Sequence, residues 1–462
     1  MKKSLCIVLT LFLAAGLFAG SLDYLTNQSA AWMMTTSRNA ATDSADIVNY
    51  NPAGTVFLAP GLHVDVSSQT LFKFYGNTVA FDPGRVSIRG MRPIDDTFKP
   101  EKITWSLPNL YVAYNFGNIA GPGRLAAYLQ AGVVAGGGNL NWKDGTAGST
   151  LALASLSLLA TVNGNITSQS FEASSIYYNI GIGGAYSFFD DKLSVSLGSR
   201  VVLPRRGFIL KAAYSGGGAL KSEFEYNAVG FTPIAGINVR PVTGLTLSAR
   251  YEMETKLEFE YNEKSMSGSS ARLVGIGRTI LANSGISNGK KFKQNLPHLI
   301  ALGAEYAVND ILTVSLSGNI FLLNVADLGR TYTSATGAEE GDIKDYFDLG
   351  YEAGLGASCK ILDGVTLGTG IMYTESGARD SYFTDSKTVL NASANPPLDS
   401  IAVGLGASYA LKNGLSFTLS GLYSYYLPHD YSSVSPFPSI FSASGTYKKS
   451  VLNIGIGAGY HY

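Results

Sequence analysis

Cysteine is almost missing from this chain, with two residues in 462, Cys6 and Cys359. Cys6 lies in an N-terminal apolar run with no lipobox behind it, so a lipoprotein is not expected. The remainder carries one thiol and no intramolecular disulfide. Charge is also sparse, at 15% of residues, and balanced, with 34 basic residues against 34 acidic. That balance gives no electrostatic case for binding nucleic acid. The four histidines, His63, His298, His429 and His461, are scattered. No pair has metal-ligand spacing and none has a Ser and Asp partner, so no catalytic residue, metal or other cofactor is nominated and an enzyme is not expected. Long apolar runs are missing beyond the N-terminus. The longest, Leu151 to Val162, covers about two-thirds of the roughly 18 residues a membrane helix needs.

Hydropathy alone would therefore give a soluble secreted protein. Lys2 and Lys3, the apolar run Leu5 to Phe18 and the small pair Ala19-Gly20 form a secretory signal peptide over 1–20, too short to span a membrane. Composition points elsewhere. There are 53 glycines and 27 tyrosines beside the low charge. A transmembrane barrel needs small residues where strands crowd, aromatics for its girdles and little charge on its lipid face.

Period-two alternation is the main signal. Leu452, Ile454, Ile456, Ala458, Tyr460 and Tyr462 alternate with Asn453, Gly455, Gly457, Gly459 and His461. Ile176, Tyr178, Ile180, Ile182, Tyr186 and Phe188 oppose Asn179, Gly181, Gly183 and Ser187. Ile401, Val403, Leu405 and Tyr409 oppose Gly404, Gly406 and Ser408. One such segment would suit a half-buried soluble strand. Many with the same polarity suit a lipid-facing wall. The Gly-x-Gly runs at Gly181, Gly354, Gly404 and Gly455 lack the strand–turn–helix setting of a dinucleotide site and read as barrel glycines.

Short turns at Asp190-Asp191, Val242-Thr243-Gly244, Asn309-Asp310, Asp363-Gly364 and Asn413-Gly414 are hairpin signatures. Similar phrases follow them, such as Leu193-Ser194-Val195-Ser196-Leu197 and Leu415-Ser416-Phe417-Thr418-Leu419. Between hairpins lie long Gly/Ser/Asn-rich stretches. Short turns on one side and long loops on the other mark an outer-membrane barrel rather than a propeller. The expected fold is an all-β transmembrane antiparallel barrel over 61–462. Its fourteen strands start near Leu62, Asn109, Leu125, Ser174, Leu193, Glu223, Leu245, Asn295, Leu312, Asp345, Val365, Ser400, Leu415 and Lys448.

Residues 21–60 do not alternate. They carry Asn27, Ser29, Arg38, Asn39, Asp43 and Asp46 before Asn51-Pro52-Ala53-Gly54, and have the size and polarity of a plug for the lumen. The run from Ala41 to Gly54 resembles the N-terminal hatch motif of the FadL family of long-chain fatty acid and aromatic hydrocarbon transporters. Leu107-Pro108-Asn109-Leu110-Tyr111 is similar to that family's Pro-Asn strand opening. The resemblance implies passive uptake: extracellular loops capture a hydrophobic ligand, the hatch shifts, and the ligand leaves sideways into membrane lipid through a kink in the third strand. Gly132 and Gly136-Gly137-Gly138 are the kink candidates, with Asn51 as a brace for the wall there.

Two features keep two readings each. Leu151, Leu153, Leu156, Leu158 and Leu159, in the loop after strand three, form either an apolar capture groove or a loop that buries itself. The lumen charges Arg200, Arg240, Arg250, Glu252, Glu305 and Glu352 either hold the hatch through Arg38, Asp43 and Asp46 or offer an arginine to a fatty carboxylate. At the level of function, a polar-solute porin would want no plug, and a surface adhesin or antigen needs only the long loops. The expected partners are a hydrophobic small molecule, outer-membrane lipid and the barrel assembly machinery, the last through the terminal aromatic Tyr462; a monomer is expected. Deleting Tyr462 should therefore lower the heat-modifiable barrel recovered from the outer membrane, and an unchanged yield on fractionation would refute the assembly role.

Overall fold

The computed structural model describes residues 27–82, 94–100, 103–118, 121–146, 148–149, 153, 166–332, 338–385, 388, 392–434 and 442–462. The expected signal peptide, 1–20, lies outside them. The chain forms a closed antiparallel barrel of 14 strands. The first five are β1 (Gly61–Tyr75), β2 (Thr104–Gly117), β3 (Leu125–Trp142), β4 (Ile166–Phe188) and β5 (Leu193–Tyr214). The next three are each interrupted: β6 (Ala219–Asn227 and Gly230–Val239), β7 (Leu245–Glu252 and Glu258–Gly268) and β8 (Lys291–Lys293 and Leu299–Ala307). The circuit ends with β9 (Leu312–Phe321), β10 (Gly350–Leu362), β11 (Val365–Glu375), β12 (Ser400–Ala410), β13 (Leu415–Tyr426) and β14 (Lys449–His461). Pairing of β1 with β14, from Tyr75 opposite Lys449 to His63 opposite His461, closes the wall.

The hairpin signals become tight turns. Asn309 Oδ1 accepts from the amides of Ile311 and Leu312, at 2.9 and 2.8 Å, so a side chain takes the donors that the turn leaves over. Asp190 and Asp191 hold left-handed conformations, φ 56° and 63°, which a short acidic side chain tolerates. These turns share one end of the barrel with Gly61 and the terminal Tyr462.

The alternation sorts side chains as the sequence implied. Ile180, Ile182, Leu405, Leu419 and Ile456 are all exposed on the outer wall, Leu405 by 66%. A belt of such residues is stable only in hydrocarbon. The inward positions of β10–β14 are often glycine, and the fold gives the reason. A short helix, α1 (Ala30–Thr35), lies inside the barrel with its carbonyls against that wall. A side-chain carbon at Gly354 would come within 2.6 Å of the Thr36 carbonyl, and one at Gly370 or Gly404 would strike the carbonyls of Thr35 or Met33.

The rest of the N-terminal segment fills the same end of the lumen: α2 (Ile47–Tyr50) and a 3-10 helix, Pro52–Phe57. Ile47 and Val48 pack on Tyr111, Ala113 and Tyr128 of β2 and β3, and Val56 packs on Ala126 and Ala185. At the other end an apolar cluster, including Trp142, Phe171, Phe208, Tyr226 and Phe259, joins β3–β8. Several elements stand where the sequence implies only long loops: Asn77–Asp82, Ile94–Phe98, His429–Val434 and Ser442–Tyr447 form a four-stranded sheet, Arg330–Tyr332 pairs with Glu339–Asp342, and Ala271–Asn283 is a helix.

Leu405→Arg should cost about 2–4 kcal/mol, the usual penalty for a cation at mid-bilayer, in urea unfolding from phospholipid vesicles. An unchanged midpoint would take Leu405 off the lipid face.

Candidate functional site

The site is built from the plug upward. Ser29 caps α1: its Oγ accepts from the Trp32 amide at 3.0 Å and donates to Asp46 Oδ2 at 2.6 Å. Arg38 then grips two carboxylates. Its Nη1 and Nη2 donate to Asp43 at 3.0 and 2.6 Å, and its Nε and Nη2 donate to Asp46 at 3.2 and 2.5 Å. Asp46 is fully buried, so this forked pairing is what permits a charge there. Tyr50 Oη accepts from the Ser29 amide and donates to Gln28 Oε1, both at 2.8 Å. Burial, with Asp46 nearby, pushes that hydroxyl well above its ordinary value, so it stays a neutral donor.

The charges expected to form one network separate into groups. Arg38, Asp43 and Asp46 pair within the plug. On the wall, Arg200 pairs with Glu252, which Arg250 also approaches at 3.4 Å, and Arg250 reaches the plug by donating to the Asn49 carbonyl. Arg240 donates to Thr42 Oγ1 at 3.1 Å and lies 3.5 Å over the Phe57 ring. Glu305 lies within electrostatic range of Asp43, Arg38 and Arg240. Glu352 stands apart, accepting from Asn319 Nδ2 at 2.7 Å on the wall of the cavity above the plug. Arg200 and Arg250 are thus engaged with Glu252 and the plug, and neither is placed to meet a ligand in that cavity.

Asn51-Pro52-Ala53-Gly54 makes the turn into the 3-10 helix. Asn51 Nδ2 donates to the Ala41 carbonyl at 3.1 Å, Ser194 Oγ donates to the Ala53 carbonyl at 2.7 Å, and Pro52 occupies the first helical turn, where its missing N–H costs nothing. A side chain at Gly54 would press on Asn51 Nδ2 and the Ala41 carbonyl, at 2.9 and 3.0 Å. The motif therefore anchors the plug to β5, near the short turns. The reading of Asn51 as a brace for the third strand is corrected: its amide is spent on Ala41, and Asn27 stands at that strand instead.

The third strand is irregular where its glycines cluster. Gly132, Gly136 and Gly138 have φ of 159°, 92° and 74°, the latter two left-handed. Pairing with β4 shifts register between Val133 and Ala135, and again before Gly138. Pairing with β2 stops at Asn109 opposite Gly132. Among the described residues the next contact of this kind is the isolated bridge from Pro100 to Trp142. Val133, Val134 and Ala135 are all buried, although alternation would turn one of them to lipid. Here β3 turns inward and loses its ladder to β2, leaving a side gap in the hydrogen-bonded wall between them. Asn27 closes its lower edge: its Nδ2 donates to Asn109 Oδ1 and to the Val133 carbonyl, both at 2.9 Å, while Gln69 Nε2 donates to its Oδ1 at 2.9 Å. The only sequence signal for this contact is the polar run Asn27-Gln28-Ser29.

Behind the gap lies a cavity bounded below by Trp32 of the plug and walled by Leu71, Tyr75, Gly136, Tyr177 and Phe321 among others. Of the candidate loop residues, Leu153 is fully buried; its carbonyl accepts from Tyr214 Oη at 3.1 Å, and it belongs to the cluster around Trp142 and Phe171. That residue fits the self-burying reading. Leu151, Leu156, Leu158 and Leu159 lie outside the described residues.

Arg38→Ala would leave Asp46 buried without its partner. Such a loss costs about 3–5 kcal/mol, so amide exchange in residues 27–60 should quicken at least about a hundredfold while the barrel strands keep their protection. Equal protection in the variant would show that the plug does not depend on this pairing.

No protein-family model matches the sequence, and no curated protein matches it. Solved structures do match the fold. A Pseudomonas aeruginosa FadL homologue is similar with a TM-score of 0.66 at 13% identity, covering 95% of this chain and 99% of its own. The Pseudomonas putida toluene transporter TodX is similar with a TM-score of 0.60, and the Ralstonia pickettii toluene transporter TbuX with 0.53. Each is 13% identical, with 95% of this chain and 99% of that chain covered. The 14-strand wall, closed around its own N-terminal segment, therefore has the fold of the FadL-type transporters.

Proposed function

We propose that the protein is an outer-membrane transporter for passive uptake of hydrophobic small molecules, long-chain fatty acids or aromatic hydrocarbons. The carrying observation is the side gap in the β2–β3 ladder, which runs beside the cavity-lining residues Ala135 to Gly138. In this reading a ligand caught by the extracellular loops enters the cavity. The plug denies it the axial route, and it leaves through the gap into lipid after residues near Asn27 yield. An apolar molecule then never crosses periplasmic water, where its hydration would be costly. Solved proteins of the same fold include a FadL homologue and toluene transporters, which supports the reading. A polar-solute porin fits less well, because α1 is seated on the wall with no space for a side chain beneath it.

The test compares uptake of a radiolabelled long-chain fatty acid, and of a monoaromatic hydrocarbon, in cells lacking their own transporter. The blocking variant should be Ala135→Phe. Ala135 lines the cavity beside the gap and lacks the left-handed backbone that would strain any side chain at Gly136. At matched surface amounts, uptake should fall about tenfold or more, the scale on which one misfit side chain alters a pathway. Wild-type uptake no faster than empty cells for both compounds would reject the function. Full uptake by Ala135→Phe would reject the side exit.

A further inference from the structure

Where β2 and β3 part, a side chain of β1 takes over the bonding. The Lys73 ammonium donates to the Gly137 carbonyl, to the Asn139 carbonyl at 3.1 Å and to Thr104 Oγ1 at 3.1 Å. Thr104 Oγ1 donates to the same Gly137 carbonyl at 3.1 Å. These carbonyls belong to the stretch of β3 that has no ladder to β2. One ammonium, reaching past β2, ties the bent strand to the wall. It also lines the cavity, beside the apolar Leu71 and one diagonal step across the β1–β14 pairing from a second ammonium, Lys449. Lys449 donates to Asn395 Oδ1 at 2.8 Å and lies 4.3 Å over the Tyr426 ring. The cavity thus offers apolar wall to a tail and a cation at the exit to a head.

We propose that Lys73 is the latch of the side gap and the receptor for the acid headgroup of the ligand, so that the transported class is long-chain carboxylates rather than neutral hydrocarbons. This rests on the uptake reading above. An ammonium has three donors, and here at least three acceptors, two of them backbone carbonyls, share them. A carboxylate outcompetes a neutral carbonyl, because bonds between two charged groups are shorter and about twice as strong. An incoming carboxylate would take donors from Gly137 and Asn139 and release the bent stretch of β3. A hydrocarbon offers Lys73 no acceptor and would leave the latch shut. The ligand that fits the cavity is then also the ligand that opens it.

The test sets a long-chain fatty acid against the alcohol of equal chain length. Uptake of each is measured at matched surface amounts for wild type, Lys73→Met and Lys73→Arg. Wild type should favour the acid, Lys73→Met should lower the acid-to-alcohol ratio about tenfold, and Lys73→Arg should restore most of it. A ratio that Lys73→Met leaves unchanged, or a wild type that takes up both equally, would overturn the assignment while the uptake reading stood. Wild-type uptake of neither compound would also overturn the assignment, and would leave the uptake reading to stand or fall on the hydrocarbon measured above. A readout on the unmutated barrel guards against misfolding of the variants. Bound acid, but not bound alcohol, should shield Lys73 from amine acylation, read by mass spectrometry; equal labelling under both would contradict the proposal.

Discussion

A backbone inside a bilayer must find its hydrogen bonds within the protein, because hydrocarbon offers none. Most of this structure follows from that constraint. It closes β1 on β14, it keeps the turns at one end short, and it leaves the outer wall to leucine, isoleucine and valine. It also makes the break in the β2–β3 ladder meaningful. Between the Asn109–Gly132 pair and the Pro100–Trp142 bridge, β3 has lost β2 as a partner. The groups left over are taken by Asn27 at the bottom and by Lys73 and Thr104 higher up. Polar side chains have replaced a ladder, and side chains can move without unfolding a strand.

In the proposed route the plug gives that gap its direction. Its own core is the Arg38 fork on Asp43 and Asp46, and its seat is the glycine-lined wall of β10–β14, where helix carbonyls approach the strands too closely for any side chain. A plug held from within and seated from below would, in that proposed route, keep the axis shut while its first residues yield.

Much of this was legible in the sequence, and unevenly so. The fourteen strands were legible because lipid imposes a period of two, as from Leu452 to Tyr462, but several starts were not: Ile166 and Thr104 begin their strands eight and five residues before the expected Ser174 and Asn109, since those stretches lie beyond the alternating segment. The Gly-x-Gly runs were recognised as barrel glycines, but their common purpose was not, since Gly354, Gly404 and Gly455 meet α1 only after the sheet has curved. The apical sheet was missed because segments such as Asn77–Asp82 stand clear of the lipid face and carry little alternation. The lumen charges were visible, whereas their division among plug and wall depends on strand register. Asn27 and Lys73 gave no pattern at all: each acts through one side chain on a neighbour distant in sequence. That is also why the motif points to Asn51 as the brace at the third strand, whereas Asn27 stands there.

In the proposed route a ligand leaves through the gap between β2 and β3. A long-chain fatty acid with a photoreactive group at its tail, loaded into the purified barrel and irradiated, tests it directly. The account predicts covalent adducts along the gap, on residues such as Trp105, Leu107, Val133 and Leu140. Adducts confined to the short-turn end of the lumen, on Ile47, Val56 and the wall around Ala126, would mean that the ligand passes the plug along the axis, and would contradict it.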